Sequence, residues 1–194
     1  MHGIIFSELR NYAEHYGFGW KTLLSKAGLE NRVYLPLQEY PDAEIVALFL
    51  AASTLSGRSV AAVLEDFGEF MLPALMSMHG HLLSPRWKTI EIISHAQESI
   101  HKIVRVQDLK AKSPLLSTQR LGPDEVLLLY TSPRKLCALA VGIAKGLAKR
   151  FHENIVIQHK TCMHKDAPRC EIVFRRIYEG RTVEALKKRL QGKI

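Results

Sequence analysis

Apolar residues recur at helical intervals ahead of Pro114 and gather into short runs of strand length behind it. A chain patterned in this way has to fold as two unlike halves around a shared core. In residues 3–16, Ile5, Phe6, Leu9 and Tyr12 form a helical stripe that Gly17-Phe18-Gly19 ends. Further helices are expected over 20–26, 42–56 and 60–77, separated by Gly28, Pro36, Pro41 and Gly57. A longer helix covers 88–106. Residues 115–120, 125–131, 155–161 and 171–177 read as strands, and the Ala, Leu and Gly-rich stretch 135–151 as a helix packed on their sheet. The expected class is α+β, a helical N-terminal half packed with a C-terminal, mainly antiparallel sheet plus helices. No internal repeat is present.

With 194 residues and 47% apolar content, the chain suits one compact globular domain. No apolar run approaches the ~20 residues that cross a bilayer, and the N-terminus lacks a signal-peptide layout, so a cytoplasmic protein is expected. Three cysteines, an odd count, argue against a disulfide framework. The net charge of +8 raises nucleic acid as a partner, but its distribution argues against one: residues 175–194 hold seven basic and two acidic side chains, while the body is nearly balanced. Val183, Leu186 and Leu190 recur at helical spacing there, giving a domain over 1–177 and a basic amphipathic helix or tail over 178–194. The tail suits an acidic partner or a solvated terminal helix.

Three groups of residues carry chemistry. Tyr130, Ser132 and Arg134 stand at alternate positions at the end of the apolar run 126–129, so an extended strand would project two hydroxyls and a guanidinium fork from one face. Such a face is either solvated or converges on a doubly anionic target, for which the two propionates of a haem qualify. On a helical wheel with about 100° per residue, His101 borders the stripe of Ile90, Ile93, Ile100 and Val104, whereas His95 falls among Glu91, Glu98 and Lys102, a solvated position. His101 is then a hydrogen-bonded core residue or a metal ligand, with His79 and His81, in a Gly-containing loop, as competitors. Finally, Cys137, His159, Cys162 and Cys170 match the donor set of a tetrahedral zinc site, with His164 competing for the imidazole position. Otherwise they are a buried helical thiol and two oxidisable loop cysteines.

Nearly the whole chain resembles the H-NOX family, haem domains that sense nitric oxide or oxygen. The resemblance is carried by Met1-His2-Gly3-Ile4-Ile5, Lys26-Ala27-Gly28-Leu29, Tyr40-Pro41-Asp42, Leu64-Glu65-Asp66-Phe67-Gly68-Glu69, His101, Pro114 and the Tyr130/Ser132/Arg134 set, and it fades near Arg176. It implies haem b lying between the two halves, His101 as the proximal iron ligand, and Tyr130, Ser132 and Arg134 gripping the propionates. Ile5 and Pro114 match positions that press on the macrocycle. The Cys137/His159/Cys162/Cys170 set matches a zinc-containing subset of stand-alone bacterial members. Arg134→Lys is expected to weaken haem retention, measured as faster haem transfer to an acceptor protein, because a point cation cannot reproduce a bidentate grip.

Where oxygen-binding members carry a distal tyrosine and its polar partners, this chain has Leu139, Met71 and Leu9. Bound oxygen gains strongly from a hydrogen-bond donor and nitric oxide much less. The departure implies a nitric oxide sensor that excludes oxygen, with carbon monoxide a second ligand and Tyr12 or Tyr16 as the minor source of a donor. The family implies that gas binding weakens the iron–His101 bond and shifts the helical half against the sheet half. The chain carries no kinase or cyclase segment, so a separate histidine kinase or cyclic-dinucleotide enzyme is the expected partner, and no enzymatic activity is expected of the chain itself. Against this stand a haem enzyme, a zinc-stabilised module of the same fold binding a small apolar molecule without haem, and a haem/zinc redox sensor.

Overall fold

The computed structural model describes residues 1–97 and 114–178; His101, the second half of the expected 88–106 helix and the basic tail from residue 179 lie outside the described residues. In order, the elements are α1 (Gly3–His15), α2 (Trp20–Lys26), α3 (Asp42–Ser56), α4 (Val60–His79), α5 (Thr89–Ala96), β1 (Leu115–Gly122), β2 (Glu125–Thr131), α6 (Cys137–Arg150), β3 (Asn154–Thr161) and β4 (Cys170–Ile177). The four strands form one antiparallel sheet in the order β1-β2-β4-β3. The fold is the expected α+β arrangement, helices in front and an antiparallel sheet behind. Among the described residues no single helix is long and apolar enough to cross a membrane.

Local chemistry sets most boundaries. Ser59 caps α4 by accepting a hydrogen bond from the Ala62 amide at 3.2 Å, and Gly57 ends α3 in the left-handed region at φ 66°. Val63, Leu64, Phe67, Gly68, Met71 and Leu72 make the buried stripe of α4. In β2 strict alternation buries Val126, Leu128 and Tyr130 on one face. Fully burying a large apolar side chain contributes about 1.5–3 kcal/mol, so these two elements anchor the two cores.

One core lies within the helical half, around Phe6, Leu9, Tyr12, Leu48, Phe49 and Phe67. The other lies between α5, α6 and the sheet, around Ile90, Ile92, Val126, Leu147, Ile172 and Phe174. Helix α6 joins them by packing on α4 at backbone distance. A Cβ on Gly142 would overlap the Glu65 carbonyl, and one on Gly68 would come within 2.6 Å of the Leu139 carbonyl oxygen. Only glycine permits that approach.

An ionic cluster ties α5 to the sheet. The Glu153 carboxylate accepts a hydrogen bond from the first amide of α5, Thr89, at 3.2 Å and pairs with Arg176 at 2.7 Å. Burial alone would raise this carboxyl, but the bonds from Arg176 and Thr89 outweigh it and hold the group below the usual carboxylate range. A carboxylate depressed on folding stabilises fully above its ordinary value and loses that contribution as pH falls through the folded value. Glu153→Gln is therefore expected to cost about 2 kcal/mol at neutral pH, the worth of a hydrogen bond to a charged group. The gap to the parent protein should close in strong acid, and urea melts at the two pH values check this.

Candidate functional site

Between the two cores runs a cavity of about 630 Å³, within the range of about 300–1,000 Å³ typical of small-molecule and cofactor sites. Every layer contributes to its wall: Ile4 and Ile5 from α1, Met71, Leu72 and Leu75 from α4, Ile92 and Ile93 from α5, Leu128 and Tyr130 from β2, and Leu139, Ala140 and Ile143 from α6. The lining is predominantly aliphatic. Among the described residues its polar side chains are His2, Glu39, His79, Tyr130 and Arg134.

Tyr130 and Arg134 meet the cavity at the end of β2, though not as alternate positions on a strand would. The strand stops at Thr131, and Arg134 lies in the turn after Pro133. Pro133 has no amide to give to a ladder, which ends the pairing there. The turn is held by the hydroxyls themselves: Ser132 Oγ accepts from the Arg134 amide at 3.3 Å, and Tyr130 Oη accepts from the Leu136 amide at 3.1 Å. Ser132 is buried and is not part of the cavity wall, so its hydroxyl shapes the turn.

The Arg134 side chain is only 7% exposed and its Nη1 lies 3.2 Å from Asp42 Oδ1. Burial tends to raise the Asp42 carboxyl, but bonds from the Met1 ammonium and Arg134 prevail and lower it. A buried guanidinium is costly without a counter-charge. Asp42 supplies one here, and a fork of five N–H donors can also serve carboxylates arriving through the cavity.

Ile5, Pro114, Met71 and Leu139 all line the cavity. Leu9 does not: it is fully buried in the helical core. Neither Tyr12 nor Tyr16 faces the cavity, and the Tyr12 hydroxyl donates to Asp66 Oδ2 at 3.0 Å. Burial and that carboxylate push the Tyr12 phenol well up, which keeps it protonated and bound there. His79, expected in a loop, is the last residue of α4 and lines the cavity, while His81 follows in a short turn and is exposed. Burial pushes the His79 imidazole below its ordinary value, favouring the neutral ring. His95, expected on a solvated face, stacks on Trp87 with ring centroids 4.2 Å apart and donates from Nδ1 to the Glu91 carbonyl at 2.8 Å. Sequence reasoning missed that contact because Trp87 precedes the helix.

Behind Tyr130 the three cysteines converge. Cys137 and Cys162 sulfurs are 3.9 Å apart, Cys162 and Cys170 sulfurs 3.8 Å, and all three lie within 4.8 Å of one another without a disulfide. A tetrahedral zinc with bonds of ~2.3 Å has ligand-to-ligand edges of ~3.8 Å, so the spacing fits such an ion. Burial pushes the Cys137 and Cys170 thiols up, with neighbouring sulfurs adding to the shift at Cys137. A divalent cation reverses that preference by deprotonating the thiols it binds.

His159 is not within 4.8 Å of all three sulfurs. It sits exposed on β3 where the register with β4 slips between His159 and Thr161, a bulge that redirects side chains. Partial desolvation of the ring by its neighbours lowers its pKa, favouring the neutral form that metals bind. His164 is also exposed and has Nε2 2.7 Å from the Lys135 carbonyl oxygen.

Comparisons with known proteins agree with this arrangement. Residues 2–159 match the model of the haem-NO-binding family. No curated protein sequence matches the chain. A crystal structure of an H-NOX protein from S. oneidensis in the Fe(II)NO ligation state superposes with a TM-score of 0.84 at 27% identity, covering 92% of this chain and 100% of that one. The Fe(II) unliganded H-NOX protein from K. algicida gives a TM-score of 0.81 at 19% identity over 93% and 98% of the two chains, a likeness of fold. With an aliphatic cavity between helical and sheet halves, and a family match over most of its length, the chain belongs to the haem-NO-binding, or H-NOX, family.

Proposed function

We propose that this protein is a haem-based sensor that takes nitric oxide, with carbon monoxide as a second ligand and oxygen excluded, and that it regulates a separate signalling protein. The observation that carries the reading is the aliphatic cavity with a buried guanidinium at one edge, in a chain of this family. Haem bound there would supply a ferrous iron able to take a diatomic gas. His101 is the proposed proximal ligand. Arg134 and Tyr130 would hold the propionates, and Ser132 would hold the turn that aims Arg134. Ile5 and Pro114 supply rigid bulk against the macrocycle.

Selectivity is proposed to follow from the described part of the wall, where Met71 and Leu139 carry no hydrogen-bond donor and the Tyr12 hydroxyl is engaged by Asp66. Without a donor, bound oxygen loses most of its stabilisation while nitric oxide loses little. The similar S. oneidensis H-NOX protein was crystallised with nitric oxide on ferrous iron, which supports the same ligand here. The partner is proposed to be a histidine kinase or a cyclic-dinucleotide enzyme, acting in the cytoplasm. Absorption spectra of the purified protein test the reading. The expected result is a Soret band that shifts with nitric oxide and not with air. A stable oxygen adduct would overturn the selectivity, and a protein that stays colourless with hemin would leave the haem-free module as the answer.

The thiol cluster is proposed as a structural zinc site of Cys137, Cys162 and Cys170 with His159 as fourth ligand. It would staple the loop between β3 and β4 to the start of α6, three residues from Arg134. Metal analysis should find a single equivalent of zinc, lost in Cys162→Ser and weakened in His159→Ala. Loss in His164→Ala instead would transfer the fourth position to His164. Metal-free thiols that pair on mild oxidation would favour the redox reading.

A further inference from the structure

Residues 132–136 join β2 to α6 and carry Arg134 to the cavity. Three bonds shape this turn from within. The Arg134 amide donates to Ser132 Oγ at 3.3 Å, the Lys135 amide to the Ser132 carbonyl at 3.0 Å, and the Leu136 amide to Tyr130 Oη at 3.1 Å. One link is strained. Lys135 stands at φ 51°, in the left-handed region that a residue with a Cβ keeps only when its surroundings impose it.

The restraint comes from the loop between β3 and β4. His164, in the short helical turn Met163–Lys165, has Nε2 2.7 Å from the Lys135 carbonyl oxygen. A carbonyl oxygen only accepts, so Nε2 carries hydrogen and has no lone pair for a metal. The Lys135 carbonyl and the Leu136 amide belong to one peptide unit, so His164 holds its oxygen end and Tyr130 its nitrogen end. A peptide unit is planar, and bonds at both ends fix its orientation. The loop that presents His164 is itself tied: the Lys165 amide donates to the Cys162 carbonyl at 2.9 Å, the Met163 amide to Cys170 Sγ at 3.3 Å, and Thr161 Oγ1 to the Arg169 carbonyl at 3.0 Å. It also brings Cys162 Sγ to 3.9 Å from Cys137 Sγ, at the end of the same turn.

We propose that His164 is a positioning residue for the anion-binding edge of the cavity. By holding the Lys135 carbonyl it keeps Lys135 left-handed, orients the Tyr130 hydroxyl through their shared peptide, and fixes the backbone from which the Arg134 fork is aimed. This role rests on the reading of Arg134 and Tyr130 as the donors to the haem propionates. The histidine touches no haem itself and acts through the backbone alone. Without it the peptide is held at one end, Lys135 relaxes toward right-handed conformations, and the fork loses its alignment.

The test uses the full chain loaded with haem. His164→Ala, His164→Gln and Lys135→Gly are compared with the parent protein by the rate of haem transfer to an acceptor protein and by the propionate bending band in resonance Raman. His164→Ala should release haem about fivefold faster, the worth of one net hydrogen bond, and displace the band. His164→Gln, whose carboxamide N–H can donate to the same carbonyl, should restore both. In a Lys135→Gly background, where the left-handed conformation carries no steric cost, adding His164→Ala should change the rate by less than about twofold. An exposed side chain makes His164→Ala safe for folding, and its zinc content should match that of the parent. Loss of zinc would make the residue a metal ligand and overturn the proposal. A parental rate and band in His164→Ala, while Arg134→Lys still hastens haem loss, overturns it and leaves the propionate reading standing. If Arg134→Lys is also without effect, the propionate reading falls and takes the role of His164 with it.

Discussion

Haem bound to the His101→Gly protein is expected to lose its iron–histidine band and to dissociate more than about a hundredfold faster, since even outer partners of metal ligands are worth 10–100-fold in affinity. Added imidazole should restore the spectrum by filling the space the side chain leaves. Among the described residues the cavity wall holds only two histidines, and His2 sits at the start of α1, with its Nδ1 3.5 Å from the Ile4 amide. His79 is the remaining competitor. If His101→Gly keeps a normal spectrum and His79→Leu loses it, the ligand is His79.

Gly142→Ala is expected to be among the most damaging single methyl additions in the described fold. Its Cβ would overlap the Glu65 carbonyl, and the Glu65 carbonyl carbon and Cα offer no flexible atom to yield. Helix propensity alone favours alanine by about 1 kcal/mol, but overpacking against backbone costs about 3 kcal/mol. The net loss of about 2 kcal/mol should lower the melting midpoint by about 4–8 °C for a chain of this size. Because α4 and α6 both line the cavity, separating them should weaken haem binding as well. Thermal unfolding and haem titration measure the two effects. Stability equal to the parent would mean that the helices can slide apart freely, and the close approach would then carry no structural weight.

The S. oneidensis and K. algicida superpositions make the general architecture secure, and the local sequence signals explain why it was legible. Helix starts at Ser59 and stops at Gly57 and Gly17 are fixed by residues within a turn of the boundary, and the period-2 burial of β2 follows from its own seven residues. Misses arose where a neighbour distant in sequence decided the outcome. Leu9 sits on the buried stripe of α1, but helical phase does not say whether that stripe meets the cavity or the aromatic core. His95 was placed among charges by the wheel, yet Trp87 covers it. The end of β2 before Pro133, by contrast, follows from a local cause, since proline has no amide for the ladder.

The site divides in the same way. Tyr130, Ser132 and Arg134 were recognisable as a group because they are consecutive alternate residues, and the cysteines because thiols are few. Their partners were not recognisable. Asp42 lies 92 residues from Arg134, and Asp66 lies 54 from Tyr12.

Sequence alone determined the class of fold, the family, and most element boundaries, because periodicity, capping and breaking act through neighbours along the chain. Tertiary structure alone decided that an aliphatic cavity opens between the two cores, that three sulfurs converge behind its sheet wall, and that one guanidinium gathers three carboxylates at the foot of α5. Those features depend on which faces of helix and sheet meet, and packing fixes that only after the elements exist.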